Sequence, residues 1–250
     1  MSSIINVIER GSQTAKQGFR NEKEVAAKFN NWRLDGDAQQ WLQIMNYNLT
    51  DIEYVNAVVL SGYKTDVQVQ VTIYLKNAID VRNLQVKLVS NEKGFNQIDK
   101  RWVDRYVELW NIPQEIESIL RRYTGEIPPT IATPRDEERM FANEFEPYEQ
   151  ELMLKWLKKN QIMIVSDILK GRGEFAAEWI LVAQKVAQKA RWVLKPMNYC
   201  LNFFGNGDIK ITDRGNWHIG RITMQRKGGD GGRDTAKMLQ FKINPAELFD

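Results

Sequence analysis

The chain contains very little cysteine and histidine, with one residue of each in 250. A single cysteine, Cys200, cannot form an internal disulfide, so we expect a reducing, cytoplasmic setting. Catalytic devices that need two or more histidines are excluded, as are metal sites built from several His and Cys ligands. We predict that Cys200 is a small core residue and that His218 belongs to a strand. Hydrolytic chemistry would then depend on carboxylates, amides and lysines acting with a hard cation.

Long apolar runs are also absent. No segment approaches the length of a membrane span, and residues 1–16 lack the basic start and apolar middle of a signal peptide. The hydrophobic content of 43% is that of an ordinary globular protein and is enough to build one substantial core. We therefore predict a single domain over residues 1–250, with no membrane partner.

The net charge of +3 is small, but the charges are unevenly placed along the chain. Residues 135–151 contain seven acidic side chains, whereas residues 221–242 contain six basic ones and residues 185–195 contain four. Separate basic segments of this kind can bind a polyanion locally. On charge alone, however, solvated helix faces are the favoured interpretation.

The order of predicted elements indicates an α/β protein. Residues 14–32 and 38–45 have the periodicity of helices, and residues 54–60, 66–74 and 84–89 have that of strands. This order predicts a mixed central β-sheet flanked by helices. The rest of the chain is predicted to form helices at 100–110, 113–123, 148–160 and 175–190, and strands at 162–165, 192–194, 209–212, 219–225 and 239–243.

The most informative residues lie at the start of one predicted strand and within the next. Asp66 opens the first, while Gln85 and Lys87 are two positions apart in the second and so point to the same face. A carboxylate, an amide oxygen and the Val86 carbonyl could surround one point and hold Mg²⁺, with Lys87 orienting or deprotonating a water. Two surface strands with alternating polar residues explain the bare pattern equally well.

Longer stretches of sequence carry a resemblance to a known family. The stretches are GFRNEKE (18–24), AVVLSGYKTD (57–66), NLQVKLVS (83–90), KGFNQIDK (93–100), FAAEWILVAQK (175–185) and QRKGGD (225–230). They resemble the PD-(D/E)XK nuclease superfamily and, within it, type II restriction endonucleases of the GCGC-cutting HinP1I type. The resemblance implies a restriction-endonuclease-like domain, with a catalytic core at about 14–125 and a carboxy-terminal part, 150–250, that adds strands and DNA-recognition elements.

The resemblance also implies a catalytic set. Its members are Asp66, Gln85 and Lys87, with Thr65 beside them, and the cofactor is Mg²⁺ with Mn²⁺ as a substitute. Gln85 stands where most of the superfamily has a carboxylate, which lowers the negative charge of the site. Glu22, on the first predicted helix, could add a carboxylate to the metal ligands, although a solvated acid on a helix face is the more ordinary interpretation.

Two segments are candidates for contact with double-stranded DNA. One directly follows the catalytic strand, and the other precedes a glycine-rich turn. The candidate residues are Phe95, Asn96, Gln97, Lys100, Arg101, Gln225, Arg226, Lys227 and Asp230. Phe95 could insert between base pairs or could anchor its loop on the core. Arginine and lysine suit guanine, and Asp230 suits cytosine, but the same side chains also suit phosphates and salt bridges.

The function implied by the resemblance is Mg²⁺-dependent cleavage of a palindrome of G and C, GCGC, giving 5′-phosphate and 3′-hydroxyl ends. We expect a monomer or weak dimer that is paired functionally, without a stable complex, with a DNA methyltransferase protecting the same site. Two alternatives stay open at this point. One is a nuclease-like protein that binds DNA without cutting it, and the other is a structure-directed repair nuclease.

Overall fold

A computed structural model describes residues 2–60, 68–91, 94–186, 189–229 and 233–250. The helices are α1 (Ser2–Asn30), α2 (Gly36–Ile44), α3 (Val103–Trp110), α4 (Gln114–Thr124), α5 (Pro147–Lys170) and α6 (Met197–Gly205). The strands are β1 (Ile52–Val59), β2 (Val69–Leu75), β3 (Ala78–Val89), β4 (Asn96–Arg101), β5 (Trp179–Val186), β6 (Lys189–Pro196), β7 (Ile209–Ile211), β8 (Trp217–Ile219), β9 (Ile222–Arg226) and β10 (Leu239–Ile243). The presence of both helices and β-sheets confirms the predicted α/β class.

The chain divides into two compact units. The mixed-sheet unit comprises residues 11–96, 169–200 and 244–250, and the second-sheet unit comprises residues 1–10, 97–168 and 201–243. The prediction of one restriction-endonuclease-like domain stays a prediction. No helix in the described part of the chain is both long enough and apolar enough to cross a membrane.

In the mixed-sheet unit, the described residues form a five-stranded sheet with the order β1-β2-β3-β5-β6. β1, β2 and β3 pair antiparallel in sequence order, and β5 and β6 form an antiparallel pair. Among the described strands of this sheet, only β3 and β5 pair in parallel, with Gln85 opposite Ile180 and Lys87 opposite Val182. This one parallel pair makes the sheet mixed, as predicted.

One face of this sheet carries the hydrophobic core. Val69, Val71 and Ile73 alternate with more exposed residues along β2, and Leu84 and Val86 continue the same face on β3. The core is completed from the helices by Val25, Phe29, Trp41 and Leu42. Burying a side chain of this size stabilises the fold by about 1.5–3 kcal/mol. The period-two pattern therefore fixes which face of β3 packs inward and leaves Gln85 and Lys87 on the other face.

The second-sheet unit has the strand order β4-β10-β9-β8-β7. β9 and β10 form an antiparallel pair with Gln225 opposite Gln240. Aromatic side chains pack the unit: the Tyr106 ring lies 4.5 Å from that of Trp110 and 5.6 Å from that of Phe241. The predicted strand residue His218 lies in β8, where its ring nitrogen is 2.9 Å from the Thr223 hydroxyl.

The helix predicted at 175–190 is wrong. A short 3-10 turn, Gly173–Phe175, leads instead into β5, which lies inside the mixed sheet. Four successive residues of this strand, Ile180 to Ala183, are fully buried, so the strand has no apolar and polar alternation. A short apolar run buried on both faces cannot be told from a buried helix by its period.

Other predicted elements also differ from the structure. The strand predicted at 162–165 is wrong, because α5 runs without a break from Pro147 to Lys170. Within it, Leu157, Ile164 and Ile168 are buried while Ile162 is exposed, which is helical spacing. The helix predicted from residue 100 begins only at Val103, because residues 96–101 form β4. α6 had no counterpart among the predicted elements.

Cys200 lies in α6 and is fully buried, as predicted for a core residue. Burial raises the pKa of its thiol to about 12. The thiolate, which is the nucleophilic form of cysteine, is therefore scarce at neutral pH. This agrees with the interpretation of Cys200 as a structural residue.

Candidate active site

Gln85 and Lys87 lie on β3 with only 1% and 6% of their surfaces exposed. The Oε1 atom of Gln85 has no hydrogen-bond partner among the residues that the structure describes. Buried polar atoms are nearly always paired, and an unpaired one costs about 1–3 kcal/mol. A ligand that binds Gln85 Oε1 would remove this cost, so the face of β3 opposite the hydrophobic core has the character of a binding site.

The backbone of Val86 is held by a side chain from the neighbouring chain segment. Its N–H group donates a hydrogen bond of 2.5 Å to the Oε1 atom of Gln68, and the Gln68 backbone N–H donates to the Leu84 carbonyl at 3.1 Å. The N–H and C=O of one strand residue point to the same side of the strand. The Val86 carbonyl is therefore directed towards the Gln68 side of β3, not towards β5.

The first half of β3 is fixed by a polar network. The backbone N–H of Asn83 donates to Glu178 Oε2 at 3.1 Å, and the Asn83 side chain donates to the Glu174 carbonyl at 2.8 Å. Arg82 donates to the other oxygen of Glu178 at 2.9 Å. These contacts join the segment before β5 to β3 just ahead of Gln85, and they support the strand that carries the candidate residues.

Glu22 lies on α1 and is half-buried. Burial raises the pKa of its carboxyl group, and the nearby Lys87 ammonium opposes that shift. The two side chains are therefore within electrostatic reach of each other. Glu22 is therefore not a fully solvated acid.

The oxygen atoms in this region fit a hard divalent cation. They are the Gln85 amide oxygen, the Val86 carbonyl and the Glu22 carboxylate. Across the described ranges, no three His, Cys, Asp or Glu side chains form a cluster that could hold a metal ion. Mg²⁺ takes few protein ligands and keeps several waters, and it prefers oxygen. The Gln85 Oε1 atom, which lacks a hydrogen-bond partner in the described part of the chain, is the observation that favours such a ligand.

Three predicted site residues, Thr65, Asp66 and Asp230, lie outside the described residues. Sequence reasoning missed Gln68, whose side chain holds Val86. A signal existed, because Gln68 is one of two glutamines alternating with valine after Asp66. The alternation of polar and apolar residues predicts which face of a strand a side chain lies on. It does not predict that the Gln68 side chain accepts the hydrogen bond of a backbone N–H in place of a backbone carbonyl.

Phe95 precedes β4 and is 56% exposed. Gly94 before it has a positive φ of 65°, which favours glycine, and a Cβ atom there would collide with the Asn244 side chain. The Asn96 side chain donates to the Gly94 carbonyl at 2.8 Å. This glycine therefore allows a close backbone approach that leaves the Phe95 ring on the surface.

The candidates on β4 differ in their surroundings. Gln97 and Lys100 are exposed, whereas Arg101 is ion-paired with the buried carboxylates of Asp99 at 3.3 Å and Asp167 at 3.1 Å. Burial raises the pKa of Asp99, and the Arg101 charge opposes that shift. Lys100 is thus open to a phosphate, while Arg101 already balances two acids.

The three candidates Gln225, Arg226 and Lys227 lie at the end of β9 and are partly buried. The Arg226 guanidinium donates to Glu138 Oε2 at 2.7 Å and lies 3.8 Å from an Asp136 oxygen. A carboxylate uses the same guanidinium donors that would read a guanine. In this structure the Arg226 guanidinium is therefore ion-paired with acidic residues of its own unit.

Comparison with known proteins assigns the chain to a family. Residues 45–249 match the model of the R.HinP1I restriction endonuclease family. The chain belongs to that family. The matched range includes β3 and β9, and it excludes Glu22. Members of this R.HinP1I family are type II restriction endonucleases, so the protein is an enzyme that cuts DNA at specific sites. Enzymes of this kind generally use divalent metal ions.

A solved structure supports the fold. The crystal structure of restriction endonuclease MspI in complex with its cognate DNA matches with a TM-score of 0.62 and 15% sequence identity. The match covers 94% of this chain and 92% of that chain. At this identity the likeness shows the fold alone, and it agrees with a mixed sheet flanked by helices. No curated protein matched the chain.

Proposed function

We propose that the enzyme hydrolyses DNA phosphodiester bonds with Mg²⁺, or Mn²⁺ in its place, at the palindrome GCGC. The products are 5′-phosphate and 3′-hydroxyl ends. The observation that carries the proposal is the buried Gln85 Oε1 atom, which has no hydrogen-bond partner among the described residues. It belongs to the residue two positions before the buried Lys87, on the same face of β3. An amide oxygen and an ammonium so placed suit a cation and a phosphate together.

Asp66 is proposed as the main carboxylate, with Gln85, the Val86 carbonyl and Glu22 as further metal ligands and Thr65 beside them. Asp66 is two residues before Gln68 in the sequence. The side chain of Gln68 in turn bonds the Val86 backbone. Sequence distance therefore supports Asp66 as a member of the same constellation.

Lys87 is proposed to orient or deprotonate the attacking water and to stabilise the charge on the phosphate. The Lys87 ammonium interacts electrostatically with the nearby Glu22 carboxylate. When bound, the divalent ion would supply polarisation of the phosphate and lower the pKa of water. The proposed catalytic set contains no histidine. Lys87 is therefore the only member of that set with a cationic side chain that can release a proton.

For DNA recognition we propose roles that differ by segment. Phe95 inserts between base pairs, because its exposed ring can unstack a step of the duplex. Asn96 and Gln97 contact base edges, and Lys100 and Arg101 contact phosphates. The residues proposed to read the G·C pairs are Gln225, Arg226, Lys227 and Asp230. Arg226 can take this role only after leaving Glu138.

The GC-only target is supported by the resemblance of the loop after β3 and of the 225–230 stretch to HinP1I-type enzymes. The proposed setting is the cytoplasm, with the enzyme as a monomer or weak dimer. A cytosine methyltransferase acting on the same site would protect the host DNA without forming a stable complex with this chain.

The test is digestion of a sequenced plasmid by the purified protein in Mg²⁺, Mn²⁺, Ca²⁺ or chelator. We expect discrete fragments with ends mapping to GCGC in Mg²⁺ and Mn²⁺, and no cleavage in Ca²⁺ alone or in chelator. Robust cutting in chelator would contradict the metal dependence. Ends at a motif with an obligatory A·T pair would contradict the target and leave the enzyme class intact.

A further inference from the structure

The second sheet has one apolar face and one polar face, because successive residues along β9 and β10 point to opposite sides. Met224 pairs with Phe241, and both side chains are buried on the apolar side. The adjacent pairs point to the other side, where each strand from β7 to β10 contributes one polar residue to a continuous row. We call the side that carries this row the polar face, and the row consists of Lys210, His218, Thr223 and Lys242.

β4, which borders β10 in this sheet, adds Lys100 to the polar face. Asp99 and Arg101 are ion-paired with each other at 3.3 Å, so both side chains lie on one side of β4. Tyr106 donates to Asp99 at 2.8 Å and packs against Phe241, which identifies that side as the apolar one. Lys100 stands between Asp99 and Arg101 in the strand and therefore points to the polar side.

The polar face carries basic side chains, and the acidic residue of this sheet lies on the other side. Asp99 is the only acidic residue in the described strands β4 and β7 to β10, and it lies on the apolar side. Lys100, Lys210 and Lys242 place three ammonium groups on the polar face. A surface with basic groups and no acids from its own strands attracts a polyanion such as DNA.

Lys242 is half-buried, whereas Lys100 and Lys210 are exposed. Within the described ranges its ammonium group forms no hydrogen bond and no ion pair. Burial lowers the pKa of Lys242, and no acid in the described part of the chain opposes that shift. A charge held partly out of water without a counter-charge destabilises the fold, and a bound acceptor oxygen would offset this cost. The polar face therefore contains a cation that a ligand would stabilise.

We propose that the polar face binds the DNA duplex, with the Lys242 ammonium donating to an acceptor oxygen of the DNA. A phosphate oxygen and the O6 atom of guanine both have this chemistry. Gln225 pairs with Gln240, two residues from Lys242 on β10, so it shares this face about 7 Å from Lys242 along the strands. That distance is about the rise of two base pairs of duplex DNA. The inference rests on the proposed function, because it takes Gln225 and Lys100 as DNA contacts and adds Lys242 to them.

The experiment compares Lys242→Met with Lys159→Met in the full-length protein. Methionine keeps most of the length of the lysine side chain and removes its charge. Lys159 is exposed on α5, a helix that contacts the apolar side of the sheet through the pairing of Asp167 with Arg101. Binding of a duplex that contains the site cut by the parent protein, and of an unrelated duplex, is measured in Ca²⁺ over a range of salt concentrations. The Tm of each variant is also measured, and Lys242→Arg, which keeps the charge, is the conservative variant.

We expect Lys242→Met to keep or raise the Tm, because it removes a half-buried charge, and to weaken DNA binding by at least about fivefold. If the acceptor is a phosphate, both duplexes lose affinity and the salt dependence falls by about one ion. If the acceptor is guanine, the cognate duplex loses more affinity than the unrelated one. Lys242→Arg and Lys159→Met should bind both duplexes nearly as the parent protein does.

A second measurement on the parent protein needs no substitution. Acetic anhydride should acetylate Lys242 less when cognate DNA is bound, and Lys159 equally with and without DNA, as measured by mass spectrometry of the peptides. The proposal is wrong if Lys242→Met binds both duplexes as tightly as Lys159→Met, or if bound DNA leaves the acetylation of Lys242 unchanged. Failure of the parent protein to cut at GCGC would instead contradict the proposed function, and the binding and acetylation results would still decide the role of Lys242.

Discussion

The side chain of Gln68 accepts a hydrogen bond from the backbone N–H of Val86, at the position between Gln85 and Lys87. Within the described residues, the pairing of β2 with β3 ends at Val69 and Leu84, so a side chain takes over where that pairing ends. This bond determines where the β3 backbone lies between the two candidate catalytic residues. It therefore links a residue outside the proposed catalytic set to the geometry of the site.

The first prediction is that Gln68→Leu lowers cleavage by at least tenfold while reducing stability by about 1–3 kcal/mol. The Val86 N–H is left unpaired, which accounts for the stability loss, and a displacement of about 1 Å in a catalytic group can cost about 100-fold in rate. Single-turnover cleavage and denaturant unfolding measure the two effects.

Gln70→Leu is the matched control for this prediction. Gln70 lies two residues further along β2 and donates to the Asn83 side chain at 3.0 Å, not to the backbone beside the site. We expect it to lose stability with little change in the cleavage rate. Equal losses of rate in both variants would show that Gln68 acts only through general stability.

The second prediction concerns the catalytic residues. Asp66→Ala and Lys87→Ala should abolish cutting and leave specific DNA binding within about tenfold, a difference of ~1.4 kcal/mol. These groups are proposed to act on the phosphate undergoing hydrolysis and not on base edges. Binding is measured with the cognate duplex in Ca²⁺, and cleavage is measured in Mg²⁺. Substantial residual cutting by either variant would move the active site elsewhere.

The third prediction follows from the raised pKa of Glu22. Because the folded-state pKa lies above the ordinary value of 4.5, the folded protein binds this proton more tightly than the unfolded chain does. The stability gained from the proton is fully present below about pH 4.5 and is lost as the pH rises through the folded-state pKa. Glu22→Gln should therefore raise the metal-free Tm at pH 7, and the gain should disappear towards pH 4.

Glu24→Gln is the control for the pH effect, because Glu24 is a nearby acid of α1 that pairs with Lys185 at the surface. Surface ion pairs of this kind contribute about 0–1 kcal/mol, so this variant should be neutral or slightly less stable at pH 7. Glu22→Gln should also weaken cleavage if its carboxylate serves the metal site. A lower Tm for Glu22→Gln at pH 7 would contradict the unfavourable burial of its charge.

A strand was predictable from the sequence when only one of its faces is buried, and was not when both faces are buried. β2 was predictable because Val69, Val71 and Ile73 alternate with more exposed residues, which is the signature of a strand packed on one face. β5 was not, because its central residues are buried on both faces and the alternation disappears. Its strand state follows from pairing with β3, a contact between residues about a hundred positions apart.

In the candidate site, features set by local spacing could be predicted, and contacts between distant residues could not. The common face of Gln85 and Lys87 follows from local spacing along one strand. The contact of Gln68 depends on which distant group its side chain faces, and sequence spacing carries no such information. The partners of Arg226 were equally hidden, since Glu138 is 88 residues away in the chain.

The last prediction concerns Arg226 and the acidic segment that holds it. Arg226→Ala should weaken binding of the cognate duplex by roughly 1–3 kcal/mol more than binding of unrelated DNA, because a bidentate guanine contact is specific. Glu138→Gln should release the guanidinium, which can then bind phosphates of any sequence. We therefore expect tighter binding of unrelated DNA, with a steeper dependence on salt.

Glu137→Gln is the matched control. Glu137 is exposed and is the neighbour of Glu138 in the chain, so the substitution removes the same charge at an adjacent position. If general electrostatics governed binding, Glu137→Gln and Glu138→Gln would raise the affinity for unrelated DNA equally. A selective effect of Glu138→Gln would show that this carboxylate competes with DNA for Arg226. If Arg226→Ala instead weakened all DNA equally and reduced the salt dependence by about one ion, Arg226 would be a phosphate contact and not a reader of guanine. Competition between a carboxylate and guanine for one guanidinium would then play no part in specificity, and base reading would have to reside in other candidates, such as Lys227.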